Sequence, residues 1–114
     1  MDLQALVFSK NPETAQSLAS ILAESGIRSE ICADTFAAID KGTKQPFSCV
    51  IADWNEQPEA GFLLKRARES ASNRGTVPIA IVDNEFQAKS AKDTAIKFIF
   101  FRPIALGGDM RQEN

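Results

Sequence analysis

The sequence predicts an α/β fold in which helices cover both faces of a five-stranded parallel sheet. Short apolar segments alternate along the chain with longer segments whose apolar residues recur at helical spacing. One of the short segments, Val50-Ile51-Ala52, is rich in β-branched residues and has no polar side, as expected for a strand buried on both faces. A chain of 114 residues is long enough for one such core and too short for two.

The first three elements are a strand, a helix and a strand. Leu3 to Phe8 is the first apolar segment. Asn11-Pro12-Glu13 then gives the helix an N-cap, a proline at its first position and an acid in its first turn. Gly26 stands where that helix is expected to end in the left-handed conformation. The residues from Ile27 to Cys32 alternate as in a half-buried strand.

The middle of the chain continues the alternation. Asp34 is expected to cap a short second helix that Gly42 stops. Phe47 to Ala52 is the third strand. After Pro58 and Gly61, a third helix has apolar residues on one face: Leu63, Leu64, Ala67 and Ala71.

The last predicted elements are a strand from Pro78 to Val82, a weakly amphipathic helix from about Glu85 to Thr94 and a strand from Ile96 to Phe101. The apolar residues of that helix are few: Phe86, Ala88 and Ala91.

The composition and charge of the chain give no indication of a nucleic-acid or membrane partner. The net charge of −2 gives no reason to expect a nucleic-acid partner, and the basic stretch Lys65 to Arg68 is read as the solvated face of a helix. No apolar run approaches the roughly 20 residues of a membrane span. The N-terminus lacks the features of a signal peptide, so a cytoplasmic location with no membrane partner is expected.

Catalysis and metal binding are not expected. The chain has no histidine, which is the commonest metal ligand and the commonest general base. Cys32 and Cys49 are isolated and lie in predicted strands, so buried reduced thiols are expected. We therefore predict a non-enzymatic protein with no cofactor and no metal.

Asp53 follows the third strand and is the first candidate site residue. In open α/β sheets, functional residues gather beyond the carboxyl ends of the strands. Asp also commonly caps a turn, and this segment alone does not separate the two roles.

The segment Val50-Ile51-Ala52-Asp53-Trp54-Asn55, followed by Gly61 and Phe62-Leu63-Leu64-Lys65, resembles the phosphoacceptor segment of CheY-like receiver domains of bacterial response regulators. The resemblance runs from about Leu3 to Pro103. It implies a flavodoxin-like fold with strand order 2-1-3-4-5. Residues 1–105 would form the receiver-like domain, and 106–114 would be a tail or the start of a linker to an effector domain.

By this resemblance Asp53 is the phosphoacceptor equivalent, and the Asn55 backbone would help to hold Mg²⁺. The other pocket positions depart from the family pattern. Ser9-Lys10 stands where receivers carry an acidic pair, and Asp83 stands where they carry a Ser or Thr. Arg102 stands where they carry a Lys before proline, here Pro103.

These departures predict a degenerate, or pseudo-receiver, site. Two unit charges about 4 Å apart interact by roughly 4 kcal/mol at an effective dielectric of 20, so Lys10 opposes a nearby cation. We expect Lys10 and Arg102 to pair with Asp53 and Asp83 and to neutralise the pocket, with pairing favoured more strongly for Lys10 than for Arg102. The alternative is that both bases point into solvent.

The C-terminal end differs from the family as well. Gly107 and Gly108 disfavour a helix, so the terminal helix of receivers is predicted to be absent or truncated. The apolar residues Phe98 to Phe101 then need a cover. A second copy of the chain, a further domain, or Ile104, Leu106 and Met110 folding back would each provide one.

The resemblance implies a signalling module that acts through a protein partner or a fused effector domain, with the fourth helix and fifth strand in the contact face. Two alternatives stay open. One is a working phosphorelay receiver phosphorylated on Asp53, and the other is a flavodoxin-like module for a small anionic ligand. The chain has no glycine-rich phosphate loop to favour the latter.

Overall fold

The computed structural model describes residues 3–94, 96–102 and 110–112, the last three by their backbone alone. In chain order the elements are β1 (Leu3–Phe8), α1 (Pro12–Glu24), β2 (Ile27–Cys32), α2 (Thr35–Lys44), β3 (Cys49–Asp53), α3 (Glu59–Glu69), β4 (Val77–Val82), α4 (Glu85–Lys92), β5 (Phe98–Phe101) and β6 (Met110–Gln112). Short 3₁₀ turns, Trp54–Glu56 and Ala71–Asn73, follow β3 and α3.

The sheet confirms the predicted topology and extends it. Its order is β2-β1-β3-β4-β5-β6, and the first five strands are parallel. The sixth strand was not predicted. It runs antiparallel to β5, with Phe100 opposite Met110. The predicted boundary between residues 105 and 106 lies outside the described residues, as do Ile104 and Leu106.

Two apolar clusters hold helices on opposite faces of the sheet. Alternate residues of each central strand serve the two faces, so Leu6 and Val50 join α3 on one side, while Val7 and Ile51 join Leu18 of α1 on the other. Phe98 and Phe100 pack at the edge of the α1 cluster, and Ile99 and Phe101 join the other. Layers on both faces explain why β3 is buried at every position.

The predicted caps of α1 are confirmed. The Asn11 side chain accepts hydrogen bonds from the backbone N–H groups of Glu13 and Thr14, at 2.9 and 3.2 Å. Gly26 adopts the left-handed conformation just after the helix, with φ of 77°.

Several element boundaries differ from prediction. The third strand begins at Cys49 and includes Asp53 as its last residue, and α4 ends at Lys92. Ala71 lies in a 3₁₀ turn beyond α3. Phe86 was expected on the apolar side of α4, but it is 84% exposed, because Ala88 and Ala91 are the residues that face the sheet.

Gly42 was predicted to end α2, and this prediction is wrong. The residue lies inside the helix, which continues to Lys44. A Cβ placed there would come within 3.3 Å of the Leu6 side chain, 3.4 Å of Leu63 and 3.6 Å of Ala67. The missing side chain lets α2 approach α3 closely, so packing and not chain termination explains this glycine.

We expect Gly42→Ala to lower the free energy of unfolding by about 1 kcal/mol. The gain in helix propensity is at most about 1 kcal/mol, whereas overpacking a rigid core costs about 1–3 kcal/mol. Urea unfolding followed by circular dichroism measures the difference. A more stable variant would show that Leu6 and Leu63 move aside without cost.

Both cysteines are buried and free, as expected. Burial raises the pKa of the Cys49 thiol to about 11, which makes it a poor nucleophile. Among the described residues, every helix is too short or too polar to cross a bilayer.

Candidate functional site

The candidate site is built around Asp53, which ends β3 with 1% of its surface exposed. Its Oδ1 accepts a hydrogen bond from the Asn55 backbone N–H at 3.0 Å and so caps the turn that follows. Asp53 therefore starts a turn, and it also contacts the polar side chains of Ser9 and Arg102. A functional role for it stays a prediction.

Ser9 faces Asp53 from the end of β1. The register of β1 and β3 places Phe8 beside Ala52, so the next residue of each strand meets at the same edge. The Ser9 hydroxyl donates to Asp53 Oδ2 at 2.7 Å, and it accepts from the Asn11 backbone N–H at 3.1 Å. Ser9 thus joins the buried carboxylate to the start of α1.

Arg102 links two carboxylates from the end of β5. Its Nη1 lies 2.9 Å from Asp53 Oδ2, and its Nε donates to Asp83 Oδ1. Nη1 also lies 3.4 Å from the Thr14 hydroxyl of α1. The Arg102 backbone N–H donates to the Val82 carbonyl oxygen at 2.9 Å, which continues the pairing of β5 with β4 by one residue. Pro103 lies outside the described residues.

The expected preference for Lys10 over Arg102 is wrong. Lys10 is exposed, and its backbone N–H donates to Glu56 at 3.2 Å. Among the described residues, Arg102 is the base that forms ion pairs with Asp53 and Asp83. Side chains alternate in direction along an extended chain, so a Ser9 that faces Asp53 leaves Lys10 facing away.

Asp83 and Asn55 connect this cluster to α4. The Asn55 side-chain amide donates to Asp83 Oδ2 at 3.0 Å and accepts from the Gln87 amide at 2.8 Å. The Gln87 side chain in turn accepts from the Asp83 backbone N–H at 2.7 Å. Asn55 thus contributes its side chain to the site in addition to its backbone N–H. The predicted role of its backbone in holding Mg²⁺ stays a prediction.

Sequence reasoning missed Gln87 and Thr14. A usable signal existed for Gln87, since Asn84 and Gln87 have the spacing of a capping box, in which the later side chain returns to the helix start. Asn84 does accept from the Gln87 backbone N–H at 2.8 Å. No local pattern marks Thr14, because its contact with Arg102 joins the two ends of the chain.

The ion pairs shift the ionisation of both partners. The hydrogen bond from Arg102 is the largest cause that lowers the pKa of Asp83 below its ordinary value of 3.8. Burial alone would lower the pKa of Arg102. The bonds to Asp83 and Asp53 outweigh burial, so the guanidinium pKa is raised and the group stays charged.

The lowered pKa of Asp83 predicts an acid-sensitive contribution to stability. A carboxylate whose pKa falls on folding stabilises the protein above its unfolded pKa, and this contribution is lost as pH falls through the lower folded value. The free energy of unfolding should fall between about pH 5 and pH 3, and we expect this fall to be smaller in Asp83→Asn. The expected difference is on the order of 0.5 kcal/mol, because the Asp83 side chain is 41% exposed and solvent screens its ion pair. Chemical unfolding at several pH values measures it, and an unchanged acid limb would contradict the assignment.

No protein-family model matches this sequence, and no curated protein matches it. Solved structures do resemble the fold. Chemotaxis response regulator CheY4 of Vibrio cholerae superposes with a TM-score of 0.80 at 19% identity, over 94% of this chain and 92% of that one. The receiver domain of a sensor histidine kinase from Pseudomonas aeruginosa, which holds a magnesium ion in its active-site cleft, gives 0.79 at 17% identity, over 94% and 90%.

A response regulator of Burkholderia pseudomallei with a phosphorylated aspartic acid gives a TM-score of 0.77 at 15% identity. The match covers 93% of this chain and 63% of that protein. These likenesses show that the chain has the receiver fold.

Proposed function

We propose that this chain is a receiver-fold interaction module that signals through a protein partner without Mg²⁺-dependent phosphorylation. The observation that carries the proposal is the position of Arg102. Its guanidinium bonds to Asp53 and Asp83 together, where a receiver would need an open carboxylate and a metal ion.

Phosphorylation of Asp53 would require one of its oxygens to attack an incoming phosphoryl group. Oδ1 already accepts from the Asn55 backbone, and Oδ2 accepts from both Ser9 and Arg102. The residue is also 1% exposed, so a phosphodonor has no approach to it without a rearrangement. Asp83 adds a negative charge beside the path of the phosphoryl group.

Magnesium does not fit this set of residues. Mg²⁺ requires several oxygen ligands in octahedral geometry and in signalling sites relies on carboxylates. No group of three His, Cys, Asp or Glu side chains able to hold a metal occurs among the described residues. The Arg102 charge already neutralises Asp53, which leaves a divalent ion little to gain there. By contrast, the solved receiver domain from Pseudomonas aeruginosa holds a magnesium ion in its active-site cleft.

In this proposal Arg102 performs constitutively what phosphate does transiently in a switching receiver. It joins the ends of β3, β4 and β5, and the Asp83–Asn55–Gln87 hydrogen bonds extend the connection to α4. The face that includes α4 is therefore held in one arrangement. A partner would respond to the presence of the domain and not to its phosphorylation.

Titration with beryllofluoride and Mg²⁺ tests the proposal. We expect no saturable change in the backbone amide resonances of Asp53, Trp54 and Asn55. A variant with the residues of the family pattern serves as the matched control: Ser9→Asp, Lys10→Asp, Asp83→Thr and Arg102→Lys. This variant is expected to gain Mg²⁺-dependent binding, because it restores the paired acids and removes the Asp83 charge.

Saturable binding by the unaltered chain, with shifts centred on Asp53, would reject the proposal and favour the phosphorelay alternative. Hydroxylamine-labile phosphate on Asp53 after incubation with acetyl phosphate would do the same, because that lability identifies an acyl phosphate.

A further inference from the structure

The strand β2 (Ile27–Cys32) forms one edge of the sheet. It pairs with β1 along all six of its residues in an unbroken register, and no other strand of the described residues pairs with it. Natural sheets usually protect such an edge with a proline, a lysine, a bulge or a very short strand. β2 has none of these features, whereas the opposite edge, β6, has only three residues. The outer side of β2 therefore offers a row of backbone groups to another extended chain.

The direction of the backbone groups along β2 follows from its contact with β1. The Cys32 carbonyl accepts a hydrogen bond from the Ser9 N–H at 3.2 Å, so the polar backbone groups of Cys32 point toward β1. Backbone groups of successive residues in a strand point to opposite sides. Those of Ile27, Ser29 and Ile31 therefore point away from β1, toward the open side of the edge.

The same edge exposes apolar side chains. Ile27 packs on the α1 cluster, and Ile31 lies on the same face of β2 with 45% of its surface exposed. In β1, Leu3 lies beside Ile27 and Val7 lies beside Ile31. Among the side chains that the structure describes, Leu3 at 41% and Ile31 at 45% are the exposed large apolar residues of the sheet. The margin of the α1 cluster is thus left open at this edge.

We propose that β2 pairs antiparallel with β2 of a second copy of this chain, about a two-fold axis at Ser29. Around Ser29 the strand is complementary to itself, because Ile27 and Ile31 are equally distant from it, and so are Arg28 and Glu30. The axis places Ile27 of each copy opposite Ile31 of the other and Arg28 opposite Glu30. This proposal goes beyond the proposed function and does not depend on the chemistry of Asp53.

This register agrees with the direction of the backbone groups. Ile27, Ser29 and Ile31 each meet a residue of the second copy that also points outward, and each such pair exchanges two hydrogen bonds. A shift by one residue would place outward groups opposite inward ones and would remove the ladder. A shift by two residues would place Arg28 opposite Arg28, or Glu30 opposite Glu30, and would separate the isoleucines. Like charges directly opposite each other destabilise a strand pair.

Apolar contact is the main gain from the pairing. In the joined sheet, Leu3 and Ile27 of one copy continue into Ile31 and Val7 of the other, as one row on the α1 side. The two-fold axis repeats this row. Ile31 would then be covered by Ile27 of the second copy, and removing large aliphatic side chains from water stabilises an interface.

The charged pairs set the register more than the strength of the contact. Glu30 already accepts from Gln4 at 3.0 Å and pairs with Lys41 at 2.6 Å, and Arg28 takes part in an interaction within its own chain. A carboxylate can accept further hydrogen bonds, so Glu30 keeps these partners when Arg28 of the second copy approaches. Lys41 offsets part of the attraction. The charges therefore act chiefly by excluding the registers that oppose like charges.

Sedimentation equilibrium and amide hydrogen exchange of the full chain test the proposal. We expect a dissociation constant on the order of 100 µM, since a contact of about five residue pairs is smaller than most stable interfaces. The amides of Ile27, Ser29 and Ile31 should exchange about fourfold more slowly at about 1 mM than at about 10 µM, in proportion to the fraction of monomer. Those of Arg28 and Glu30 point to β1 and should be equally protected at both concentrations.

Charge reversal tests the register. Arg28→Glu places two acids opposite each other in both charged pairs and should weaken association about tenfold. Glu30→Lys combined with Lys41→Glu keeps the ion pair within the chain but opposes two bases across the contact, with a similar expected effect. A mixture of the two variants restores opposite charges in both pairs. It should therefore form a heterodimer about as tight as the unaltered homodimer.

The apolar row is tested separately. Ile31→Thr keeps a β-branched residue in the strand and should weaken association about tenfold, because the contact with Ile27 of the second copy is lost. Phe86→Ser is the matched control, since Phe86 is 84% exposed on α4 and lies outside the edge. We expect it to leave the dissociation constant within about twofold of the unaltered value.

Absence of association at the higher concentration would overturn the proposal. Sensitivity to Phe86→Ser without sensitivity to Arg28→Glu would also overturn it, by placing the contact elsewhere. Mixed charge variants that fold but do not associate would reject the register. Protection of Ile27, Ser29 and Ile31 in a monomer would show that the chain covers its own edge. None of these results bears on the beryllofluoride titration, and saturable beryllofluoride binding would leave the pairing of β2 untouched.

Discussion

Replacing Arg102 by methionine is expected to lower the free energy of unfolding by about 3 kcal/mol. The substitution keeps most of the apolar stem but leaves Asp53, which is 1% exposed, without its ion-pair partner. Removal of one member of a buried pair costs about 3–5 kcal/mol, because the remaining charge is neither solvated nor neutralised. Arg102 is 15% exposed, which favours the lower end of that range. Urea unfolding at neutral pH measures the change.

A double-mutant cycle separates this loss from a general defect. Asp53→Asn removes the charge that needs neutralising, so Arg102→Met should cost much less in that background. Lys10→Met is the matched control. Lys10 is exposed and forms no ion pair with Asp53 or Asp83 among the described residues, so we expect a change within about 0.5 kcal/mol. A Lys10 effect as large as that of Arg102 would contradict the assignment of the pair.

Asn73→Asp is expected to destabilise the domain by about 4 kcal/mol, the largest effect of any polar substitution considered. Asn73 is 1% exposed and lies at the end of the sheet opposite to Asp53. Its side-chain amide donates to the carbonyls of Gly42 and Gln45, at 2.7 and 2.6 Å, and its oxygen accepts from the Phe47 N–H at 2.7 Å. An aspartate would place an oxygen against two carbonyl oxygens in a site closed to water, and each lost buried bond costs about 1–3 kcal/mol.

Thermal and urea unfolding of Asn73→Asp should agree on this loss. Asn11→Ala provides the comparison, because Asn11 is an exposed helix cap whose removal costs about 1 kcal/mol. Equal losses of unfolding free energy for the two substitutions would contradict this expectation. They would show that water or a relaxed loop compensates for the hydrogen bonds that Asn73 makes. A milder effect at acidic pH alone would instead point to a protonated aspartic acid that retains one donor.

The fold was predictable because its signals are local. Asn11, Pro12 and Gly26 mark the two ends of α1, and the unbroken apolar residues of β3 indicate a strand covered on both faces. Gly42 shows where such reasoning fails. Its absent side chain serves a contact between two helices, and a contact between distant segments leaves no sign in the neighbouring sequence. The same reason explains why the antiparallel strand β6 was not foreseen.

Sequence reasoning identified part of the polar cluster around Asp53: it missed Thr14 and Gln87, and it included Lys10, which faces away. Ser9, Asn55, Asp53, Asp83 and Arg102 do meet, because parallel strands deliver their last residues to one edge. Whether Lys10 or Arg102 reaches the carboxylates of Asp53 and Asp83 depends on the direction in which each side chain points where its strand ends. A shift of one residue there exchanges the inner and outer positions, as Ser9 and Lys10 illustrate.

The short strand β6 has a consequence for self-association. A parallel sheet that ended at β5 would offer a row of unsatisfied amide and carbonyl groups to any extended chain. With β6 hydrogen-bonded to β5, that border is occupied by three residues of the same molecule. Pairing of two copies through β5 would first have to displace β6, so the edge that this flank offers to another chain is a strand of only three residues.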